Sequence, residues 1–307
     1  MDFELFLQSS LHSAEYFFQK PSPASHPFDN KYKSRKILED ILSAPSLQFY
    51  EDSSLLSAYV HYLLGVNFLE TEETSQGETL LKQSLFEFSQ LETSKIKGFL
   101  NIFQDIYNCL GLLFLNREEI ELGMGCLAKS EEIYEAIREI KGDISCVFHD
   151  FANEKPRNSE LKFAFFKDLG INSKKTESLY TLTQFYLAQA YTKLELKEKA
   201  AFYCGNTMKR QYESKQFVLK EWCVNAISLA EFYQNNRQFA QGFYLLQAGD
   251  SLIPPNKRKK LKATFQMSIA RLFGEFLTYM TAVLQGETTD FSAIYSQINK
   301  KSLFLIG

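Results

Sequence analysis

One spacing of small and aromatic residues recurs four times along this chain. Gly65 is followed by Phe68 and Gly77, Gly111 by Phe114 and Gly123, Ala188 by Tyr191 and Ala200, and Ala230 by Tyr233 and Gly242. Each aromatic lies three residues after the first small residue, and the second small residue lies nine beyond the aromatic. The first pair therefore shares one helix face, and the longer step leaves room for a turn and the start of a second helix. Small residues on both helices let their backbones approach closely, with the aromatic filling the angle between them. A chain built this way is restricted to a row of helical hairpins.

The spacing is the tetratricopeptide (TPR) pattern. Thr207 and Pro254 close the third and fourth units, and Leu81 and Leu127 sit in the second helices of the first two. With only 7 Pro and 14 Gly in 307 residues, the chain has few of the turns a sandwich or barrel needs, so an all-α fold is expected.

The expected division has five parts. Residues 1–50 hold N-terminal helices and a Pro-rich connector: a helix over 2–19, a turn or mobile link from Pro21 to Phe28, and a second helix from Tyr32 to Leu42 stopped by Pro45. Residues 51–140 hold repeats 1 and 2. The first opens at Ser53 with Asp52 as its N-cap and carries Leu55, Leu56, Tyr59, Leu63 and Leu64 on one side. Its turn is the polar string Glu70 to Ser75, and the second repeat ends in a long helix from Arg117 to Ile140. Residues 141–176 form an insertion, because Gly111 and Ala188 are 77 apart against 46 and 42 for the neighbouring steps; it is either a binding loop or a disordered one, with a short helix expected from Leu161 to Leu169. Residues 177–255 hold repeats 3 and 4, and 256–307 a C-terminal helix and the opening of a further helical subdomain.

Charge is uneven. Residues 58–140 carry fourteen acidic against six basic residues, 177–254 seven against eight, and 255–307 three against eight. An acidic early surface disfavours nucleic acid and suits a partner with a basic face, and Glu118, Glu119 and Glu121 are taken as its contact residues. A merely solvated helix surface is the plainer reading. The basic run from Lys257 to Lys262 reads as the first face of a helix rather than an import signal. No apolar run reaches the roughly 18 residues of a membrane span, and no secretory leader is recognisable, so a cytoplasmic protein without membrane insertion is expected.

Nothing points to catalysis or to a cofactor. The cysteines Cys109, Cys126, Cys146, Cys204 and Cys223 form no CxxC pair, and His12, His26, His61 and His149 form no i,i+4 pair for a metal. The chain has no phosphate-cradling glycine loop, GxSxG elbow or HExxH motif. A clamp for a C-terminal carboxylate, one use of TPR arrays, would need Lys and Asn at inner positions that here hold Tyr62, Val66 and Glu70, then Asn108, Leu112 and Asn116.

Five blocks resemble the KIF-binding proteins: LGVNFLETEETSQGE from Leu64, NREEIELGMGCLAKSEEIY from Asn116, YLAQAYTKLELKEKAAFYC from Tyr186, MKRQ from Met208 and EWCVNAISLAEFY from Glu221. The resemblance covers residues 50 to 255 and extends to positions the TPR template leaves free, such as Trp222. It implies a right-handed α-solenoid of TPR-like helical hairpins that grasps a kinesin motor domain and covers its microtubule-binding surface. The implied protein is cytoplasmic and cytoskeleton-associated, and the acidic early repeats suit a motor face that docks on acidic tubulin. Template position and resemblance together make Tyr186, Gln189, Gln211 and Ser228 groove or rim contacts, with Lys193 and Asn235 on the usual inner face of their repeats; helix packing is the plainer role for each. The family has a second helical subdomain where this chain ends, and KKSLFLIG from Lys300 resembles its opening, so the sequence is either a shortened member or an incomplete one; if the second arm is absent, weaker motor binding and association with another chain through the exposed end are expected. The alternative function is a TPR scaffold for non-motor partners, which charge reversal of Glu118, Glu119 and Glu121 separates from motor capture.

Overall fold

The computed structural model describes residues 3–91, 97–138, 173–215, 217–253 and 259–285. The expected helix from Leu161 to Leu169, Cys146, His149 and the segment from Lys300 lie outside the described residues, as do Lys257 and Arg258. Within them the fold is all-α, with no strand. The helices are α1 (Phe3–Gln19), α2 (Asp29–Ser43), α3 (Ser53–Glu70), α4 (Thr74–Ser89), α5 (Leu100–Asn116), α6 (Ile120–Arg138), α7 (Ser173–Lys193), α8 (Lys197–Ser214), α9 (Leu219–Asn235), α10 (Phe239–Leu252) and α11 (Lys259–Leu284). Two compact units divide the chain, Met1–Tyr180 and Thr181–Gly307.

In the first unit α1 packs on α2, α3 on α4 and α5 on α6. The glycines of the repeat sit where the helices cross. A Cβ on Gly77 would stand 3.0 Å from the carbonyl oxygen of Gly65, and one on Gly65 would press into Leu81 at 2.8 Å. The next hairpin repeats this with Gly111, Gly123 and Leu127. A second feature recurs further along: Ser84 Oγ donates to the carbonyl of Ala58 at 2.7 Å, and Ser130 Oγ to that of Gln104 at 3.4 Å. Each hydroxyl ties the end of the second helix to the start of the first, so a small residue and a small donor together hold the two ends of the crossing.

The turns are as regular as the crossings. Glu72, Glu118, Glu195 and Arg237 all adopt left-handed backbone, with φ of 68°, 65°, 58° and 58°. Each lies seven residues after the first small residue of its repeat. The next N–H reaches back to the template aromatic: Glu73 to Phe68 and Glu119 to Phe114 at 2.9 Å, Leu196 to Tyr191 at 3.0 Å, Gln238 to Tyr233 at 2.7 Å. This is the Schellman closure of a helix, made without the usual glycine.

Several details differ from expectation. α3 is not one-sided: Leu55, Leu56, Ala58, Tyr59, Val60, Tyr62, Leu64 and Asn67 are all buried, because α2, α4 and α5 surround it. Asp52 stands at its N-cap position but makes no side-chain capping bond. The first turn is shorter than the polar string, spanning Thr71 to Glu73, and α6 begins at Ile120 rather than Arg117. The connector before α2 is pinned, since Asn30 Nδ2 donates to the carbonyl of Pro21 at 3.0 Å and its N–H to Ser22 Oγ at 2.9 Å.

In the second unit Tyr191 and Tyr203 stack at 5.3 Å between α7 and α8, while α8 packs on α9 and α9 on α10. Ala188, Ala230, Cys204, Cys223, Leu246 and Phe265 belong to one core. α11 closes it. Its Leu272 lies against Gly242, and its Phe265 occupies the place a side chain on Gly249 would need.

Candidate protein-interaction surface

In the first unit α3 and α5 meet through a buried polar pair. Tyr62 on α3 donates its hydroxyl to Asp105 Oδ2 on α5 at 2.5 Å. Burial raises the Asp105 carboxyl above the usual range, with the Tyr62 bond and the charge of Lys175 opposing it. Burial also pushes the Tyr62 hydroxyl up. The carboxylate-clamp positions are already occupied: Asn108 Nδ2 donates to the carbonyl of Leu179 at 3.0 Å, and Glu70 pairs with Lys31. Neither residue is available to hold a peptide end.

Part of the acidity of the early repeats is paired within the fold. Glu73 pairs with Arg35, Glu78 with Lys82 and Arg117, and Glu87 with His61. Among the described residues Glu118, Glu119 and Glu121 have no ion-pair partner, and all three are exposed at the α5–α6 turn. Part of the unpaired negative charge of this unit therefore lies at this turn.

The second unit separates the other sequence-derived residues. Tyr186 and Gln189 are half-buried, three apart on α7, and Ser228 is half-buried on α9. Lys193 ends α7 and Asn235 ends α9, both exposed. Gln211 is different: it is 1% exposed, and its Nε2 donates to Glu221 Oε2 at 2.7 Å. Burial raises the Glu221 carboxyl, against the effect of that bond. Gln211 Oε1 and both side-chain polar atoms of Asn225 are buried without a hydrogen-bond partner. Sequence reasoning did not find the Tyr62–Asp105 or Gln211–Glu221 pairs, since neither spacing carries a motif.

The chemistry of the described residues suits binding. Ser57, His61 and Glu87 come together, but Ser57 Oγ and Glu87 Oε2 both lie on the Nδ1 side of the ring, at 3.4 and 2.8 Å, so the imidazole cannot relay a proton between them. Burial pushes the thiols of Cys126 and Cys204 up to about 11 and about 12, far from a reactive thiolate. Among the described residues no group of His, Cys, Asp and Glu could hold a metal ion, and no helix is long and apolar enough to cross a membrane.

Comparison with known proteins shows what the chain is similar to. The KIF-binding protein of Rattus norvegicus is 30% identical over 259 residues, covering 75% of this chain and 40% of its own length. That of Gallus gallus is 31% identical over 239 residues, covering 75% and 38%. A solved structure of Kinesin binding protein (KBP) is 26% identical, with a TM-score of 0.57 over 91% of this chain and 52% of that one. This chain is similar to the KIF-binding proteins over three quarters of its length. It spans about 40% of the length of the curated relatives it matches. No protein-family profile matches it. Of the strings that resemble the KIF-binding proteins, the TEE turn has a structural role. Arg35 of α2 donates to Thr71 Oγ1 at 2.6 Å and to Asn67 Oδ1 at 3.1 Å, pairs with Glu73 at 2.8 Å and lies 3.7 Å from the Phe68 ring centre.

Proposed function

We propose that this chain binds a kinesin and keeps it from its track by covering the motor domain's microtubule-binding face. The observation that carries this reading is the similarity to proteins named for binding kinesins. The unpaired Glu118, Glu119 and Glu121 support it, because a motor face that docks on an acidic filament is basic and their charge would steer it. Occlusion of a shared surface requires no chemistry, so the chain acts as a binding protein rather than an enzyme. It works in the cytoplasm at the cytoskeleton. Tyr186, Gln189, Gln211, Ser228, Lys193 and Asn235 serve as its second group of contacts, Gln211 by holding Glu221 beneath the surface.

Two further points belong to this reading. Phe273, Leu277 and Leu284 leave an apolar stripe exposed on α11, which supports association with another chain. The alternative reading is a TPR scaffold for non-motor partners. Microtubule co-sedimentation with a panel of purified kinesin motor domains separates them. Motors should leave the pellet when the chain is added; motors that stay bound despite excess chain would exclude occlusion.

A further inference from the structure

The turn between α8 and α9 carries a surface unlike the rest of the second unit. Tyr212 is 83% exposed, and Phe217 and Val218 are each 45% exposed. The Phe217 ring packs 5.8 Å from that of half-buried Trp222, so the apolar side chains form a shallow, supported shelf instead of loose projections. Lys209, Lys215 and Lys220 are exposed around it. Two carboxylates offset part of this charge, Glu213 reaching Lys209 at 3.8 Å between two largely exposed side chains and Glu221 interacting with Lys220, so three lysines against two carboxylates leave the turn net positive. No side chain caps the N-terminus of α9 at Val218, so the orphan N–H groups of its first turn add to the positive field.

We propose that this turn is a docking site for an acidic peptide segment bearing an aromatic or large apolar side chain. The lysines would hold the carboxylates, and the Phe217–Trp222 shelf would take the apolar side chain. Lysine's compact ammonium suits several carboxylates in varying geometry, and aromatic shelves supply contact area at little entropic cost. A lipid surface fits less well. Membrane attachment needs apolar side chains that project past the charged ones, whereas here the most projecting is Tyr212, with a polar tip, and Phe217 is backed by the Trp222 ring. The site is chemically the opposite of the acidic α5–α6 turn, so it engages a different partner, or a different part of one, from the basic motor face. It therefore stands or falls independently of the kinesin reading.

The chain contains a single tryptophan, and Trp222 lies in the shelf, so its intrinsic fluorescence reports occupancy directly. The test titrates the intact chain with a short Trp-free peptide of alternating Glu and Phe, with a Lys–Phe peptide, and with phosphatidylcholine vesicles containing phosphatidylserine. A saturable Trp222 change with the acidic peptide alone, weakened about tenfold in the K215E/K220E double variant and by raised salt, is expected. Both lysines are on the surface, and circular dichroism should show the variant folded. No response to the acidic peptide, an equal response to the basic one, a response confined to vesicles, or a response unchanged in the folded double variant would each overturn the proposal.

Discussion

Gly123 faces the backbone of Gly111 so closely that a Cβ on Gly123 would stand 3.1 Å from the Gly111 carbonyl oxygen and 2.9 Å from the Leu115 side chain. Gly125, two residues on in the same helix, has open space around the same position. The pair makes an internal control. Gly125→Ala should stabilise by about 1 kcal/mol through helix propensity. Gly123→Ala gains the same propensity but must part the helices, and overpacking of about 1–3 kcal/mol should make it net destabilising. Urea unfolding of the two variants should give midpoint shifts of opposite sign.

The left-handed turn residues offer a second contrast. Glu195 adopts φ of 58°, where an L side chain costs about 1–2 kcal/mol. Glu195→Gly should therefore raise stability, by about 1 kcal/mol after the extra freedom of glycine in the unfolded chain is subtracted. Glu195→Val, branched at Cβ, should lower it. Thermal melts of both against the parent check the ordering.

How much of this was legible beforehand follows from the same positions. Gly65, Gly77, Gly111 and Gly123 could be found because a close crossing tolerates little else, so residue type and spacing both record the contact. The turns were legible only as polar strings: Glu72, Glu118, Glu195 and Arg237 are not the glycine or asparagine that usually marks left-handed backbone. The polar pairs between helices were least legible. Tyr62 and Asp105 meet across 43 residues, and the burial of Gln211 depends on Glu221 of the following helix, which template position alone cannot tell from exposure.

Arg35 should prove the keystone of the first hairpin. Its guanidinium contacts Asn67, Thr71, Glu73 and the Phe68 ring at once. Arg35→Ala should cost about 2–3 kcal/mol from charged hydrogen bonds and ring contact together. Arg35→Lys should recover only part of it, since an ammonium cannot reproduce the planar fork. Chemical denaturation of the three proteins gives the ranking.

The pH dependence of stability should carry two opposite contributions. Burial pushes the Glu87 carboxyl up, but hydrogen bonds from His61 and Gln83 outweigh it and leave it below the usual value. Its contribution is present above the ordinary glutamate value of about 4.3 and is lost as pH falls through the lowered folded value. Asp105 is held above its usual value, so its ionised form is a penalty at neutral pH, relieved as pH falls through the raised folded value. Asp105→Asn keeps an acceptor for Tyr62 and should stabilise most at about pH 7, with the gain closing towards about pH 4. Glu87→Gln should destabilise most at neutral pH, its loss vanishing only at still lower pH. Unfolding curves across this range test both slopes.

The last prediction concerns the partner. Glu118, Glu119 and Glu121 are exposed and unpaired among the described residues, whereas Glu78 and Glu87 serve the fold through Arg117, Lys82 and His61. Reversing the first three to lysine leaves the Glu118 backbone with another L residue and breaks no described ion pair, so the cost to stability should be confined to the charge of Glu121 in the first turn of α6, about 1 kcal/mol. If these carboxylates steer a basic motor face, association with a kinesin motor domain should slow by about tenfold or more at low salt, and the difference from the parent chain should shrink as salt screens the parent's advantage. Substituting Glu78 and Glu87 by Gln should do the reverse, lowering stability with less effect on association. Stopped-flow association at several salt concentrations separates the outcomes. An association rate unmoved by triple reversal would remove electrostatic steering from the motor-binding reading and favour a scaffold whose partners lie elsewhere.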